Sequence, residues 1–199
     1  MTSSSRSLSL LFLGTVLMGG CEAEQTTTPT SETTLLPTDD MRSVESHATG
    51  IEPCLPSPTA SAALESSVFS LINQRRAVGA TCGGVAKLPV PPLTAQVLLN
   101  CTARAHAQDM AMNSYLGYIS LNGWTPLRRV TTKGYTPLSY VEENVASGYS
   151  TAEAVVDAWM ANPHDCNNIM NPAHIHVGIG HSTVPGSTYS YWVQDFGRP

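Results

Sequence analysis

Five cysteines and six histidines are the residues of this chain whose chemistry can be read from type and spacing. Cys54, Cys82, Cys101 and Cys166 make an even set, and in an exported chain such a set forms disulfides. Four cysteines allow three pairings, and spacing does not choose among them. Metal binding is the rival reading. It is the weaker one, because none of the four stands in a Cys-x-x-Cys pair. His174, His176 and His181 are spaced so that two could share a strand face and take up metal adventitiously; a moderately exposed hairpin accounts for them equally well. His106 has Leu99, Ala103 and Met110 on its helical face, where a lone histidine is more often a hydrogen-bonded core residue than a ligand. There is no Gly-x-Ser-x-Gly elbow, no phosphate-cradling glycine loop and no His-Glu-x-x-His. His164-Asp165 makes no triad by adjacency, since a base and its orienting acid must meet side chain to side chain.

The fifth cysteine, Cys21, closes an export signal. Arg6 gives a positive start, residues 8–18 are apolar, and Met18-Gly19-Gly20 precedes the thiol. The apolar run is too short to span a bilayer as a helix. Cysteine after two glycines resembles the bacterial lipobox, whose thiol is acylated after cleavage, although Met18 stands where that motif usually has Leu. The other reading is an ordinary secretory signal with Cys21 left over. Acylation at Cys21 would attach the protein to a membrane through lipid alone. Residues 21–60 then form a disordered tether rich in Thr, Ser and Pro, unable to bury enough apolar area to offset its ordering entropy. Cys54, between Pro53 and Pro56, pins its end to the domain.

The chain carries 10 basic and 15 acidic residues, a formal charge of −5. Loss of residues 1–20 removes only Arg6 from that count. No basic stripe exists, so nucleic acid is excluded as an expected partner.

Residues 61–199 read as one globular domain. Leu64, Val68, Leu71 and Ile72 recur at helical spacing, with Arg75 and Arg76 in a last turn and Gly79 as the stop. A loop with Pro89, Pro91 and Pro92 leads to a long helix expected over 93–112, with Leu98, Cys101, Ala105 and Met112 on one face. Ser150 is expected to cap a further helix, with Glu153 three residues on and Val155 and Trp159 on its inner face, ending by Pro163. Alternation about Val177 and Ile179, a turn at Val184-Pro185-Gly186-Ser187 and renewed alternation over 189–196 predict an antiparallel hairpin. Trp159 and Trp192 are expected in the core and Trp124 partly exposed, as a contact residue. Helices closed by a hairpin give an α+β layered domain.

Phrases along the last two-thirds of the chain carry a resemblance. They are Leu71-Ile72-Asn73-Gln74-Arg75-Arg76, Ala105-His106-Ala107-Gln108-Asp109-Met110, Thr125-Pro126-Leu127-Arg128-Arg129-Val130 with Gly134-Tyr135, Glu143-Asn144-Val145-Ala146, Val155-Val156-Asp157-Ala158-Trp159-Met160, Cys166-Asn167-Asn168-Ile169-Met170-Asn171-Pro172 and Tyr191-Trp192-Val193-Gln194-Asp195-Phe196-Gly197. Their order and spacing resemble the bacterial branch of the CAP superfamily, which includes cysteine-rich secretory, antigen 5 and pathogenesis-related proteins. The resemblance implies a three-layer α–β–α sandwich, and it implies the pairs Cys82–Cys166 and Cys54–Cys101. It also implies a cleft lined by Glu143, Asn144, Asn162, His164 and Asp165.

Members of that family often hold a divalent metal between two His and two Glu. Carried over position by position, the first Glu is Glu143, the second falls on Asn162, and Asp165 stands at the second His with His164 in place of a Gly. The stretch Tyr115-Leu116-Gly117-Tyr118 lacks the first His. The tetrad is therefore degenerate, although Glu143, His164 and Asp165 could still gather zinc or another divalent ion. The expected role is a non-catalytic binding or interaction module in the cell envelope, for a lipid, a cell-wall component or a protein. The alternative is a hydrolase in which Glu143 and Asp165 divide acid and base roles beside His164. Glu143 has a plainer reading, as a carboxylate that accepts hydrogen bonds at the start of its phrase.

Overall fold

The computed structural model describes residue 54, residues 56–136 and residues 140–199. The expected signal (1–20), the Cys21 lipidation site and the tether up to residue 53 lie outside the described residues.

The first helix, α1 (Thr59–Val78), ends where expected, at Gly79 with φ 82°. An L side chain rarely adopts that φ, and a Cβ there would also press on the Lys87 carbonyl. A small hairpin follows, β1 (Ala80–Cys82) with β2 (Val85–Lys87). Residues 93–96 are not helical. A short strand, β3 (Thr94–Ala95), pairs parallel with the later hairpin. The Gln96 side chain then accepts from the Leu98 and Leu99 N–H groups and opens α2 (Val97–Asn113). The expected start at residue 93 is corrected to Val97. The inward face of α2 is corrected in part: Cys101 is buried as expected, with Leu99, Thr102, Ala103, His106, Ala107 and Met110, whereas Ala105 and Met112 are exposed. Period alone left a choice of faces, and the sheet packs on the one with small residues.

Next come α3 (Pro126–Thr132), β4 (Glu142–Ser147), α4 (Ala152–Ala161), α5 (Pro163–Ile169), β5 (His176–Thr183) and β6 (Ser190–Gly197). Thr151, not Ser150, caps α4, accepting from the Ala154 N–H at 3.2 Å. Pro163 ends α4 and also starts α5 at its first turn, where a missing N–H does no harm.

The main sheet runs β3-β5-β6-β4, with β5, β6 and β4 antiparallel. Alternation sends Val177, Ile179, Trp192, Phe196 and Ala146 to one face, where they meet Val68 and Ile72 of α1, Val155, Val156 and Trp159 of α4, and Ile169 of α5. The other face carries Val193 and Tyr191 against Ala103, Ala107 and Met110 of α2. Helices on both faces make the α–β–α sandwich of an α+β domain. On β5, Gly178 and Gly180 stand where any Cβ would run into the α2 backbone at Leu99 and Ala103. Glycine there sets how closely helix and sheet approach.

Cys54 is joined to Cys101 and Cys82 to Cys166, with Cα atoms 5.2 and 5.5 Å apart. These are the pairs the resemblance implies. Arg76 lies in the last turn of α1, as expected, and is fully buried. Its guanidinium donates to the carbonyls of Pro91, Ile169 and Asn171 at 2.6–2.9 Å, tying α1 to the segments flanking the sheet. Burial lowers its pKa to about 10, so it stays charged at neutral pH.

Candidate functional site

Glu143 stands on β4 with its side chain on the α2 face, and Asp195 is its register partner on β6. Both are acidic and nearly devoid of solvent, at 4% and 0% exposure. The two carboxyls lie close enough for each to shift the other's pKa. Glu143 Oε2 accepts from the Arg129 guanidinium, and Asp195 Oδ2 accepts from the Thr102 hydroxyl at 2.7 Å. Among the described residues, Glu143 Oε1 and Asp195 Oδ1 have no hydrogen-bond partner. Burial raises Glu143 well above the ordinary carboxylate range, and the Asp195 charge pushes the same way against Arg129. Burial likewise raises Asp195, opposed by its hydrogen bonds and by Arg129. With one proton on the pair, its remaining charge and the guanidinium cancel.

Arg129 comes from α3, which Thr125 caps and Pro126 begins. Its Nη1 donates to the carbonyls of Tyr118 and Trp124 and to Ser120 Oγ, at 2.9–3.0 Å. Ser120 in turn donates to His106 Nδ1 at 3.3 Å, and His106 Nε2 donates to the Gly117 carbonyl at 2.8 Å. This order fixes the neutral tautomer. Burial, reinforced by the Arg129 charge, lowers the His106 pKa to about 4. His106 Nε2 lies 3.8 Å from Glu143 Oε1, outside hydrogen-bond range. His106 is thus the satisfied core residue its helical face predicts.

The other expected cleft residues belong to the opposite layer. Asn144 is fully buried and ties β4 to α5 through the Asp165 carbonyl, Asn168 and Gln194. The Asn162 side chain caps α5, accepting from the His164 N–H at 2.9 Å. His164 Nδ1 lies 3.2 Å from Asp165 Oδ1, its side chain mostly exposed. Burial raises the Asp165 pKa, and the His164 contact opposes this. No hydrogen bond or ion pair joins Glu143 to His164 or Asp165 among the described residues. Tyr118 stands between the two sets: its ring lies 6.2 Å from that of His164, and its pKa is raised by burial and then by the Asp165 and Glu143 charges.

A metal of the family's kind needs imidazole nitrogens and carboxylate oxygens converging on one point. These residues do not fit it. A guanidinium already sits on Glu143, Asn162 is spent as a helix cap, and among the described residues no group of three His, Cys, Asp or Glu could hold an ion. The three hairpin histidines also diverge. His174 is buried beside Phe196 and bonds the Asn168 carbonyl; His176 meets the Tyr135 hydroxyl; His181 is buried on Trp192 and bonds Ser61. The expectation that His174 and His181 are moderately exposed is corrected. Glu142 is half-buried and 3.2 Å from His174 Nε2.

Sequence reasoning missed Asp195 and Arg129 as partners of Glu143. The signal was present: placing Glu143 and Asp195 on paired strands puts two acids on one face, and a nearby cation must answer them. Beside the cluster lies a cavity of about 450 Å³ between α2, α3 and the loop joining them.

The model of the cysteine-rich secretory protein family, CAP, matches residues 69–196. YkwD of Bacillus subtilis, an uncharacterized protein, is 32% identical over 141 residues, which cover 70% of this chain and 49% of YkwD. An extracellular protein containing a SCP domain from Bacillus anthracis superposes with a TM-score of 0.59 at 19% identity, covering 73% of this chain and 45% of that one. An outer surface protein of Borrelia burgdorferi gives 0.57 at 22% identity, covering 67% of this chain and 90% of that one. These two superpositions establish the shared fold. The chain spans about half the length of YkwD.

Proposed function

This chain belongs to the cysteine-rich secretory protein (CAP) family, and from that premise we propose that it is an exported binding module of the cell envelope whose cleft performs no chemistry. One observation carries the reading: the Arg129 guanidinium occupies the Glu143 carboxylate, in a buried cluster closed by Asp195. A divalent ion at Glu143 would have to displace a hydrogen-bonded cation. General acid or base work would need Glu143 to exchange protons with solvent, and it has almost no exposed surface. The tetrad is degenerate, with Arg129 supplying the positive charge that a metal would otherwise bring. The hydrolase alternative needs Glu143, His164 and Asp165 about one substrate, and their side chains serve different layers.

Export is supported by the signal at the N-terminus, by two disulfides and by relatives described as extracellular or outer-surface proteins. Among the described residues no helix is long and apolar enough to cross a membrane. Acylation of Cys21 would supply the attachment. The partner is a lipid, a wall component or a protein at the envelope.

Calorimetric titration of the oxidised protein with zinc tests the reading, with Glu143→Ala in parallel. The expected result is no binding, or weak binding equal in both proteins. Micromolar binding that Glu143→Ala abolishes would overturn it and revive a metal-dependent reaction.

A further inference from the structure

The cavity between α2, α3 and their connecting loop has the makings of a ligand site. Its volume of about 450 Å³ lies within the roughly 300–1,000 Å³ typical of small-molecule sites. From its lining we infer that it takes a neutral, polyhydroxylated ring: one unit of an oligosaccharide. The inference rests on the binding-module reading and names the ligand class for it.

Trp124 gives the site a flat wall. The indole is partly buried, and the backbone that carries it is hydrogen-bonded on both sides. Arg128 lies over it at 5.1 Å, the Trp124 backbone N–H donates to Asn122 Oδ1 at 3.1 Å, and the Trp124 carbonyl accepts from both the Ser120 N–H and Arg129. A fixed aromatic face offers large contact area at little loss of side-chain freedom. Leu121 and Ala105 extend the apolar side of the cavity.

The remaining lining is polar and mixed in kind. Asp109 presents a carboxylate oriented by Tyr115 and by Asn113. Asn113, Asn122, Thr132 and Ser120 bring amide and hydroxyl groups. A sugar hydroxyl both donates and accepts, so it uses such a mixture fully. An acyl chain would strip water from these groups and return no hydrogen bonds. Charge in the lining is balanced and favours a neutral ligand. Arg129 is already answered by Glu143, and Asp109 and Lys133 bring one carboxylate and one ammonium. A neutral ring with one apolar face and a polar edge meets each of these demands.

Triacetylchitotriose and maltotriose serve as soluble neutral probes, dodecanoate as an apolar one, followed by tryptophan fluorescence of the oxidised full chain. Trp159 and Trp192 are buried, so a ligand-dependent change reports on Trp124. At least one sugar should bind with a Kd at or below about 1 mM. Trp124→Ala should abolish the response, with binding checked by calorimetry because the reporter is lost, while Trp124→Phe should retain it within about tenfold. The exposed Asn113→Ala should weaken it roughly fivefold, the worth of one hydrogen bond. Unchanged near-ultraviolet circular dichroism shows that each variant is folded. Sugar binding indifferent to Trp124 and Asn113 would overturn the glycan site. So would dodecanoate binding through Trp124 with no sugar response, although that outcome leaves the binding-module reading standing. No response to any probe, together with zinc binding through Glu143, would remove both.

Discussion

Glu143 and Asp195 face each other across the β4–β6 ladder as two buried acids, and a guanidinium hydrogen-bonds only the first. Like charges so placed cannot both ionise without a large penalty. The pair therefore works as one acid and one carboxylate, and its protonation belongs to the fold.

Stability should depend on pH through this pair. Both folded pKa values are raised from 4.5 and 3.8. The folded state then binds the extra proton, so the pair's contribution is full below the ordinary carboxylate range and is lost as pH rises through the raised values. One proton corresponds to about 1.4 kcal/mol per pH unit within that window. His106 acts in the opposite sense: lowered to about 4 from 6.5, it adds stability above pH 6.5 that is lost as pH falls toward 4. Asp195→Asn removes the second acid and supplies an amide donor to Glu143. Relative to the parent protein, its melting temperature should rise as pH rises from about 5 to 9. Parallel melting curves across that range would refute a proton held by the pair.

Arg129→Ala should be among the most damaging single changes. It leaves a buried carboxylate without its cation and frees three carbonyl or hydroxyl acceptors. Breaking a buried pair from one side costs about 3–5 kcal/mol. Arg129→Lys should rescue little, because an ammonium cannot reproduce a planar fork that serves Tyr118, Ser120, Trp124 and Glu143 together. Urea unfolding of the two variants decides this, and a loss near 1 kcal/mol for Arg129→Lys would contradict it.

The larger elements were legible because each answers to a local rule. The helix stop at Gly79 follows from a φ that glycine tolerates, and the final hairpin follows from alternation on both sides of Pro185-Gly186. Three other features depended on tertiary neighbours. The true face of α2 was set by Gly178 and Gly180, far along the chain, which demand small residues opposite. The short strand at Thr94–Ala95 exists only because β5 lies beside it. The site was partly legible: Glu143 stood out by resemblance, whereas its partners Asp195 and Arg129 are distant in sequence and met it only once register was known. His164 and Asp165 looked like Glu143's companions by position in the family pattern, yet α5 carries them in the other layer.

The two disulfides should differ in worth despite similar loop entropy. Their sequence separations are 84 and 47, and less than a doubling of loop length changes closure entropy by no more than about 0.6 kcal/mol. Packing separates them. Cys82 and Cys166 are buried at 2% and 0%, in the core beside Trp159 and Ile169, while Cys54 is only partly covered. Cys82→Ala with Cys166→Ala should lose about 2–4 kcal/mol from the cross-link, with a further loss from the vacated core volume. Cys54→Ala with Cys101→Ala should lose less. Equal denaturation midpoints for the two double variants would show that core packing adds nothing to the first bridge.

Gly178→Ala and Gly180→Ala test the helix–sheet spacing directly. Each Cβ would meet α2 backbone, the Leu99 carbonyl in one case and the Ala103 carbonyl in the other, and backbone cannot swing aside as a side chain can. The helix must move bodily. Overpacking typically costs about 1–3 kcal/mol, and a clash with main chain belongs at the upper end. Displacing α2 also lengthens the Thr102–Asp195 hydrogen bond, which lies on the same helix between the two contacts. The variants should therefore both unfold at lower urea and show a changed pH slope, because Asp195 loses a donor that favours its ionised form. Gly84→Ala makes the control: a Cβ there meets nothing within 4 Å, although its φ of 85° still carries a backbone penalty. If Gly178→Ala proves no more costly than Gly84→Ala, with the pH slope unchanged, helix and sheet are not held at this spacing by the glycines.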